Sequence, residues 1–118
     1  MHKISNKLKR ILAAYILEAN KLCHIDKAIL FGSHSRGKAR KNSDIDIALF
    51  SRDVNSTNRL EIMTELFMLI TKFKVDIQPV VFSYKDYLKE DNNFISNEIK
   101  KKGIELPLSS MFSLSGAS

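Results

Sequence analysis

Two short apolar runs and the polar residues around them constrain this chain most strongly. The first run ends in Phe31-Gly32-Ser33, and after ten intervening residues Asp44 and Asp46 begin an alternating apolar run. Side chains two residues apart in a β-strand project to the same face, so these carboxylates are predicted to lie together. At roughly 6–7 Å and an effective dielectric near 20 they would repel by about 2–3 kcal/mol, and a divalent cation would turn that repulsion into attraction.

The residue types at these positions suit a metal and a phosphate group. Hard oxygen ligands favour Mg²⁺ or Mn²⁺, and Mg²⁺ usually combines one or two carboxylates with substrate phosphates. Gly32 allows a sharp turn and a close approach of the backbone, and Ser33 offers a hydroxyl and an N–H to phosphate oxygens. Asp44 and Asp46 are therefore candidate metal ligands, although each motif alone is also compatible with solvated carboxylates or a strand-ending turn.

A second motif overlaps the first. Gly32-x-x-x-x-Gly37-Lys38 has the spacing of a Walker A phosphate loop, but Ala39 stands where that loop needs Ser or Thr to hold Mg²⁺. The departure argues against a P-loop.

Apolar periodicity predicts an alternation of helices and strands. Helices are predicted over 4–23, over a segment opened by an Asn58/Glu61 capping box, over 84–90 and over 94–102, where Gly103 acts as the C-terminal cap. Strands are predicted over 28–31, 44–49, 75–81 and 104–106, with Pro79 placing the third strand at a sheet edge or beside a bulge. The predicted fold class is α+β (mixed α/β), a small mixed sheet covered by helices.

Length and composition predict one domain over residues 1–106, followed by a Ser-rich tail over 107–118 that is predicted to be disordered. One cysteine, no signal peptide and no membrane-spanning run point to the cytoplasm. The net charge is +6, and residues 1–43 carry ten Lys/Arg against two acidic residues. Such a surface suits a nucleic acid, a nucleotide triphosphate or an acidic protein.

Gly32-Ser33, ten residues, then Asp44-Ile45-Asp46 is similar to the signature of the DNA polymerase β-like nucleotidyltransferases. The small size resembles their minimal nucleotidyltransferase (MNT) branch, and residues 94–104 resemble the usual ending of such domains. The resemblance implies the nucleotidyltransferase fold and a third carboxylate on a neighbouring strand, a position that Asp76 matches. Asp76 would complete the metal site with Asp44 and Asp46 and help to deprotonate the attacking hydroxyl.

The resemblance also implies a reaction. A hydroxyl would attack the α-phosphorus of ATP or a related triphosphate in the presence of Mg²⁺ or Mn²⁺, and pyrophosphate would leave. Gly32 and Ser33 would hold the β- and γ-phosphates, with Arg36, Lys38 and Arg40 as candidate phosphate contacts. By analogy with MNT antitoxins, the chain would attach AMP to a tyrosine of a HEPN-type toxin and neutralise it.

Two other functions remain open from the sequence. A binding-only antitoxin would use the fold as a scaffold and would neutralise its partner without the carboxylates. A basic nucleic-acid-binding module would use the positive front half, but aromatic residues do not interleave with the basic ones as they would in a stacking platform. The second alternative is therefore disfavoured.

Overall fold

The computed structural model describes residues 5–32, 44–73, 75–89 and 92–114. Within these ranges the elements are α1 (Asn6–Ala19), β1 (Lys27–Phe31), β2 (Ile45–Ser51), α2 (Arg59–Ile70), β3 (Ile77–Ser83), α3 (Tyr84–Leu88), a π-helix π1 (Phe94–Lys101), β4 (Ile104–Glu105) and α4 (Leu108–Leu114). None of the helices in these ranges is long and apolar enough to cross a membrane.

The four described strands form one mixed sheet in the order β3-β2-β1-β4. β2 and β3 run parallel, whereas β1 is antiparallel to both β2 and β4. Parallel neighbours need a crossover connection, and α2 lies in the segment that links β2 to β3. The predicted α+β fold with a small mixed sheet is confirmed.

Side chains of the sheet alternate between two separate cores. On one face, the odd-numbered residues of β2 and β3 pack against α1 and α2, and the Tyr15 hydroxyl donates to the Leu66 carbonyl oxygen at 3.0 Å. On the other face lies a second cluster, which we call the aromatic core, formed by Ile29, Phe31, Ala48, Phe50, Ile95 and Ile99. The sheet is therefore covered on both sides, and π1 supplies part of the second cover.

Pro79 lies on β3, which is an edge strand as predicted. Two residues further on, the Val81 N–H donates to Met63 Sδ at 3.3 Å and the Val81 carbonyl accepts from Arg59 Nε at 2.7 Å. Odd-numbered residues of β3 thus turn their backbone groups away from β2. Because Pro79 shares that direction, its missing N–H removes no bond of the β2–β3 ladder.

The beginning of α2 differs from the predicted capping box. Asn58 is the N-cap residue, but its side chain makes no capping hydrogen bond. Its Nδ2 instead donates to the Asp53 carbonyl at 2.8 Å, and its Oδ1 accepts from the Asn55 N–H at 2.8 Å. The capping-box prediction is wrong because the preceding turn already uses both polar atoms of this side chain.

Gly103 follows the C-cap residue of π1 and also packs closely against β1. Lys102 is the C-cap residue, and Gly32 is the glycine with positive φ among the described residues. A methyl group at Gly103 would lie 2.5 Å from Ile29 Cγ2 and 2.9 Å from the Leu30 carbonyl oxygen. The helix ends just before Gly103 as predicted, with the Gly103 N–H donating to the Ile99 carbonyl oxygen at 2.9 Å. Glycine is needed here for close packing against β1, and its φ is not in the left-handed region.

The segment after β4 also differs from expectation. Residues 108–114 form α4, where a disordered tail was predicted. Leu106 and Met111 are buried, and Leu108 and Phe112 pack against the core that contains α1. Burial of these apolar side chains favours order in a segment whose Ser-rich composition suggested none.

A buried carboxylate stabilises the end of β2 that lies away from Asp44. The side chain of Asp26 is 7% exposed and accepts from the Arg52 N–H at 2.7 Å and from an Arg52 guanidinium nitrogen at 2.6 Å. Burial pushes the pKa of Asp26 upward, but the hydrogen bonds and charge of Arg52, aided by His24, outweigh it and lower the pKa. The ionised form is therefore favoured in the folded state.

Replacing Asp26 by asparagine is expected to lower the free energy of unfolding at pH 7 by about 1–3 kcal/mol. Since the folded pKa is lowered, this stabilisation is present above the unfolded carboxyl pKa of about 3.9 and is lost as the pH falls through the folded value. Urea unfolding of both proteins at pH 7 and at pH 2–3 tests this. The difference should shrink at low pH, and an equal difference at both pH values would contradict the assignment.

Candidate active site

Asp44 and Asp46 lie where β2 begins, on the same face of the sheet. Ile45 and Ile47, which alternate with the two aspartates, are buried in the core beneath α1 and α2. Asp44 is exposed and Asp46 is half-buried. The period of two that the sequence suggested is therefore present. Both carboxylates project to the side of the sheet that carries the aromatic core.

Asp76 lies beside this pair, on the neighbouring strand. Ile45 pairs with Ile77 across the parallel β2–β3 ladder, and the Ile45 N–H donates to the Asp76 carbonyl oxygen at 2.8 Å. Asp44 and Asp76 each lie one residue before this first pair of the ladder. Laterally adjacent residues share a face of the sheet, so Asp44, Asp46 and Asp76 all lie on one face.

Gly32 approaches the same group of carboxylates from β1. It follows Phe31, which is paired with Asp46 across the antiparallel β1–β2 ladder. Its φ is 74°, in the left-handed region that favours glycine. A methyl group at Gly32 would lie 3.2 Å from Asp46 Cγ and closer still to its Oδ2. Because Gly32 has no side chain, the Asp46 carboxylate can lie against the backbone at this position.

Several predicted phosphate contacts lie outside the described residues. Ser33, Arg36, Lys38 and Arg40 belong to residues 33–43. The phosphate-binding role of this segment therefore stays a prediction, as does that of Gly32.

The donor chemistry of the three aspartates suits a hard divalent cation, because carboxylate oxygens are the ligands that Mg²⁺ and Mn²⁺ prefer. Their shared face and the space left by Gly32 are consistent with such an ion. Among the described residues, however, no group of three His, Cys, Asp or Glu side chains is gathered closely enough to hold a metal. The metal-ligand roles of Asp44, Asp46 and Asp76 stay predictions.

Sequence reasoning overlooked Gln78, which belongs to the same surface. It is exposed and pairs with Asp46 across the β2–β3 ladder. Its amide can donate to an anionic oxygen or accept from a hydroxyl. The signal was present in the sequence, because Asp76 and Gln78 repeat the polar spacing of Asp44 and Asp46.

The class of protein is identified by comparison with known protein families. The family model for polymerase beta nucleotidyltransferases matches residues 6–107. The chain therefore belongs to the polymerase β nucleotidyltransferase family. Comparison with the curated proteins gives no match.

Solved structures with the same fold extend this comparison. A candidate nucleotidyltransferase from Sulfolobus solfataricus is 14% identical with a TM-score of 0.56, covering 84% of this chain and 78% of its own. One chain of a toxin–antitoxin structure with AMP-PNP is 21% identical with a TM-score of 0.52, covering 88% and 86%. A mutant of the toxin–antitoxin pair MntA–HpeT is 19% identical with a TM-score of 0.51, covering 88% and 86%. At these identities the likeness establishes the shared fold.

Proposed function

We propose that this chain is a metal-dependent nucleotidyltransferase that transfers AMP from ATP to a hydroxyl group. The observation that carries the proposal is the register of β2 and β3, whose first pair, Ile45 and Ile77, directly follows Asp44 and Asp76 in the chain. Gly32 lies against Asp46 at the end of the adjacent strand β1. A nucleotide bound here would meet carboxylates on one side and a glycine turn on the other. Family membership supports the same chemistry.

Each residue of the site has a proposed role. Asp44 and Asp46, with Asp76, would hold Mg²⁺ or Mn²⁺, and the bound ion would supply charge neutralisation at the attacking and leaving oxygens. Asp76 accepts the proton of the attacking hydroxyl. The hydroxyl oxygen bonds to the α-phosphorus as the bond from that phosphorus to the bridging oxygen breaks, and pyrophosphate leaves.

The phosphate contacts complete the proposed site. Gly32 and Ser33 hold the β- and γ-phosphates through the backbone and the Ser33 hydroxyl, and Arg36 and Lys38 neutralise their charge. The basic excess of residues 1–43 supports this role, because four of its ten Lys/Arg lie between Ser33 and Asp44. The proposed compartment is the cytoplasm, which suits a chain with one cysteine.

The proposed acceptor is a tyrosine of a HEPN-type toxin, with this chain as the antitoxin of the pair. The similarity of Gly32-Ser33 and Asp44-Ile45-Asp46 to the MNT signature supports this acceptor. The fold shared with a chain of a toxin–antitoxin structure is consistent with it.

The test is transfer of label from α-labelled ATP, in Mg²⁺, to a HEPN-type toxin encoded next to the gene for this chain. The wild-type protein should label the toxin, and the label should disappear with EDTA or when the acceptor tyrosine is replaced. Asp76→Asn should label far more slowly, because it removes the proposed proton acceptor without changing side-chain size. Glu65→Gln, an exposed change on α2 across the sheet, is the matched control. Equal labelling by Asp76→Asn and the wild type would refute the role of Asp76, and absence of any label would refute the transferase.

A further inference from the structure

Phe94 contacts the aromatic core through Phe31, yet much of its own ring remains exposed to solvent. It is the first residue of π1, and 45% of its surface is exposed. Ile95 and Ile99 of the same helix are fully buried. The helix is therefore anchored on the sheet by its isoleucines, while its leading aromatic ring remains accessible.

The accessible ring stands at the edge of the carboxylate site. Phe94 and Phe31 make an edge-to-face contact, with ring centroids 5.8 Å apart and planes at 88°. Phe31 in turn pairs with Asp46 and precedes Gly32. In an edge-to-face pair, one ring leaves at least one of the other's faces uncovered whichever ring presents its edge. Phe94 thus offers an uncovered ring face. Its contact residue, Phe31, is the residue of β1 that pairs with Asp46 of β2.

Two hydrogen bonds hold the backbone on both sides of Phe94. Asn92 Oδ1 accepts from the Ile95 N–H at 3.1 Å, and the Asn92 carbonyl accepts from the Ser96 N–H at 2.9 Å. These bonds fix the start of π1, and burial of Ile95 and Ile99 fixes its face. A ring that is ordered before binding loses little conformational entropy when a ligand packs on it.

We propose that Phe94 stacks on the base of the nucleotide whose phosphates face Asp44 and Asp46. The inference rests on the proposed function and adds to it the contact that distinguishes a nucleotide from a bare polyphosphate. Every base has a π-face, so stacking tolerates different bases and favours the larger purines. Removing the aromatic face should weaken nucleotide binding on the order of tenfold to a hundredfold.

The absence of tryptophan from the sequence makes a direct test possible. Phe94→Trp creates a single fluorescent reporter at the proposed stacking position. Phe67→Trp is the matched control, because Phe67 is 44% exposed and lies on α2, across the sheet from the carboxylates. Each variant is titrated with ATP and, separately, with inorganic tripolyphosphate, both in Mg²⁺.

Stacking predicts a saturable change in emission with ATP at position 94, none with ATP at position 67 and none with tripolyphosphate at either. Equal changes at both positions would overturn the proposal, since ATP would then be acting on any exposed ring. So would ATP binding to the Phe94→Trp protein, measured by equilibrium dialysis, without a change in emission.

Variants without tryptophan separate this inference from the proposed function. Phe94→Leu keeps an apolar contact for Phe31 but removes the aromatic face, and should bind ATP on the order of tenfold to a hundredfold more weakly while binding tripolyphosphate as the wild type does. Phe94→Tyr should restore ATP affinity. Unchanged ATP affinity in Phe94→Leu would overturn stacking and leave the transferase standing. If the wild type bound neither ATP nor tripolyphosphate, the proposed function would fall, and the stacking role with it.

Discussion

Replacing Asp44 or Asp46 by asparagine is expected to slow nucleotidyl transfer about 1,000-fold, equivalent to about 4 kcal/mol of lost transition-state stabilisation. Asparagine keeps the size of the side chain and one oxygen but removes the negative charge that attracts a divalent cation. Asp44 is exposed where β2 begins, so its replacement should leave the free energy of unfolding nearly unchanged. The loss should therefore be one of chemistry and not of folding.

Single-turnover transfer from α-labelled ATP, at saturating ATP and Mg²⁺, measures this effect. Urea unfolding of the same preparations checks that each variant is folded. Glu65→Gln again serves as the control, because it removes one negative charge from an exposed position on the other side of the sheet. Transfer within a few-fold of the wild type by both aspartate variants would remove the basis of the proposed site. Toxin neutralisation by Asp46→Asn, with transfer abolished, would favour the binding-only antitoxin instead.

Truncating Phe50 to alanine should lower the free energy of unfolding by about 3–5 kcal/mol, the usual range for a buried aromatic side chain. Phe50 is fully buried in the aromatic core, with its ring centroid 5.5 Å from that of Phe82 and 5.1 Å from that of Tyr87. The contact with Tyr87 joins β2 to α3. The cavity would therefore weaken the packing of a helix as well as the sheet.

Chemical unfolding in urea measures the loss. A total stability of about 5–15 kcal/mol is typical of a domain, so a change of this size would be a large part of it. Leu60→Ala is the control, because Leu60 is 80% exposed and its truncation should change stability by no more than about 0.5 kcal/mol. A loss below about 1 kcal/mol in Phe50→Ala would mean that the aromatic core is not packed as the structure has it.

Much of the architecture could be predicted because local pattern and burial agree. Ile45 and Ile47 alternate with Asp44 and Asp46, and the strand with that pattern is β2. Pro79 marked an edge strand for a simple reason, since a residue without an N–H fits where no ladder bond is required. Asp76 was placed beside the carboxylate pair by resemblance, and the β2–β3 register puts it on the same face.

Other features could not be predicted because they depend on what lies next to a residue in space. The local sequence predicts that the Asn58 side chain caps the helix, but its polar atoms are already hydrogen-bonded to the backbone of Asp53 and Asn55. The local pattern predicted that the helix ends at Gly103, but it could not show that Ile29 and Leu30 of β1 exclude a side chain there. Residues 108–114 are Ser-rich, but the burial of Met111 orders them as α4.

The amino-acid sequence by itself determined the alternation of strands and helices and the spacing of the acidic residues, because both follow from side-chain periodicity along one segment. Only the tertiary structure decided that β2 and β3 run parallel in a register that sets Asp44 beside Asp76. It also decided that Phe94 borders the same face. Register and helix placement depend on packing between segments distant in the chain, and no local pattern encodes that packing.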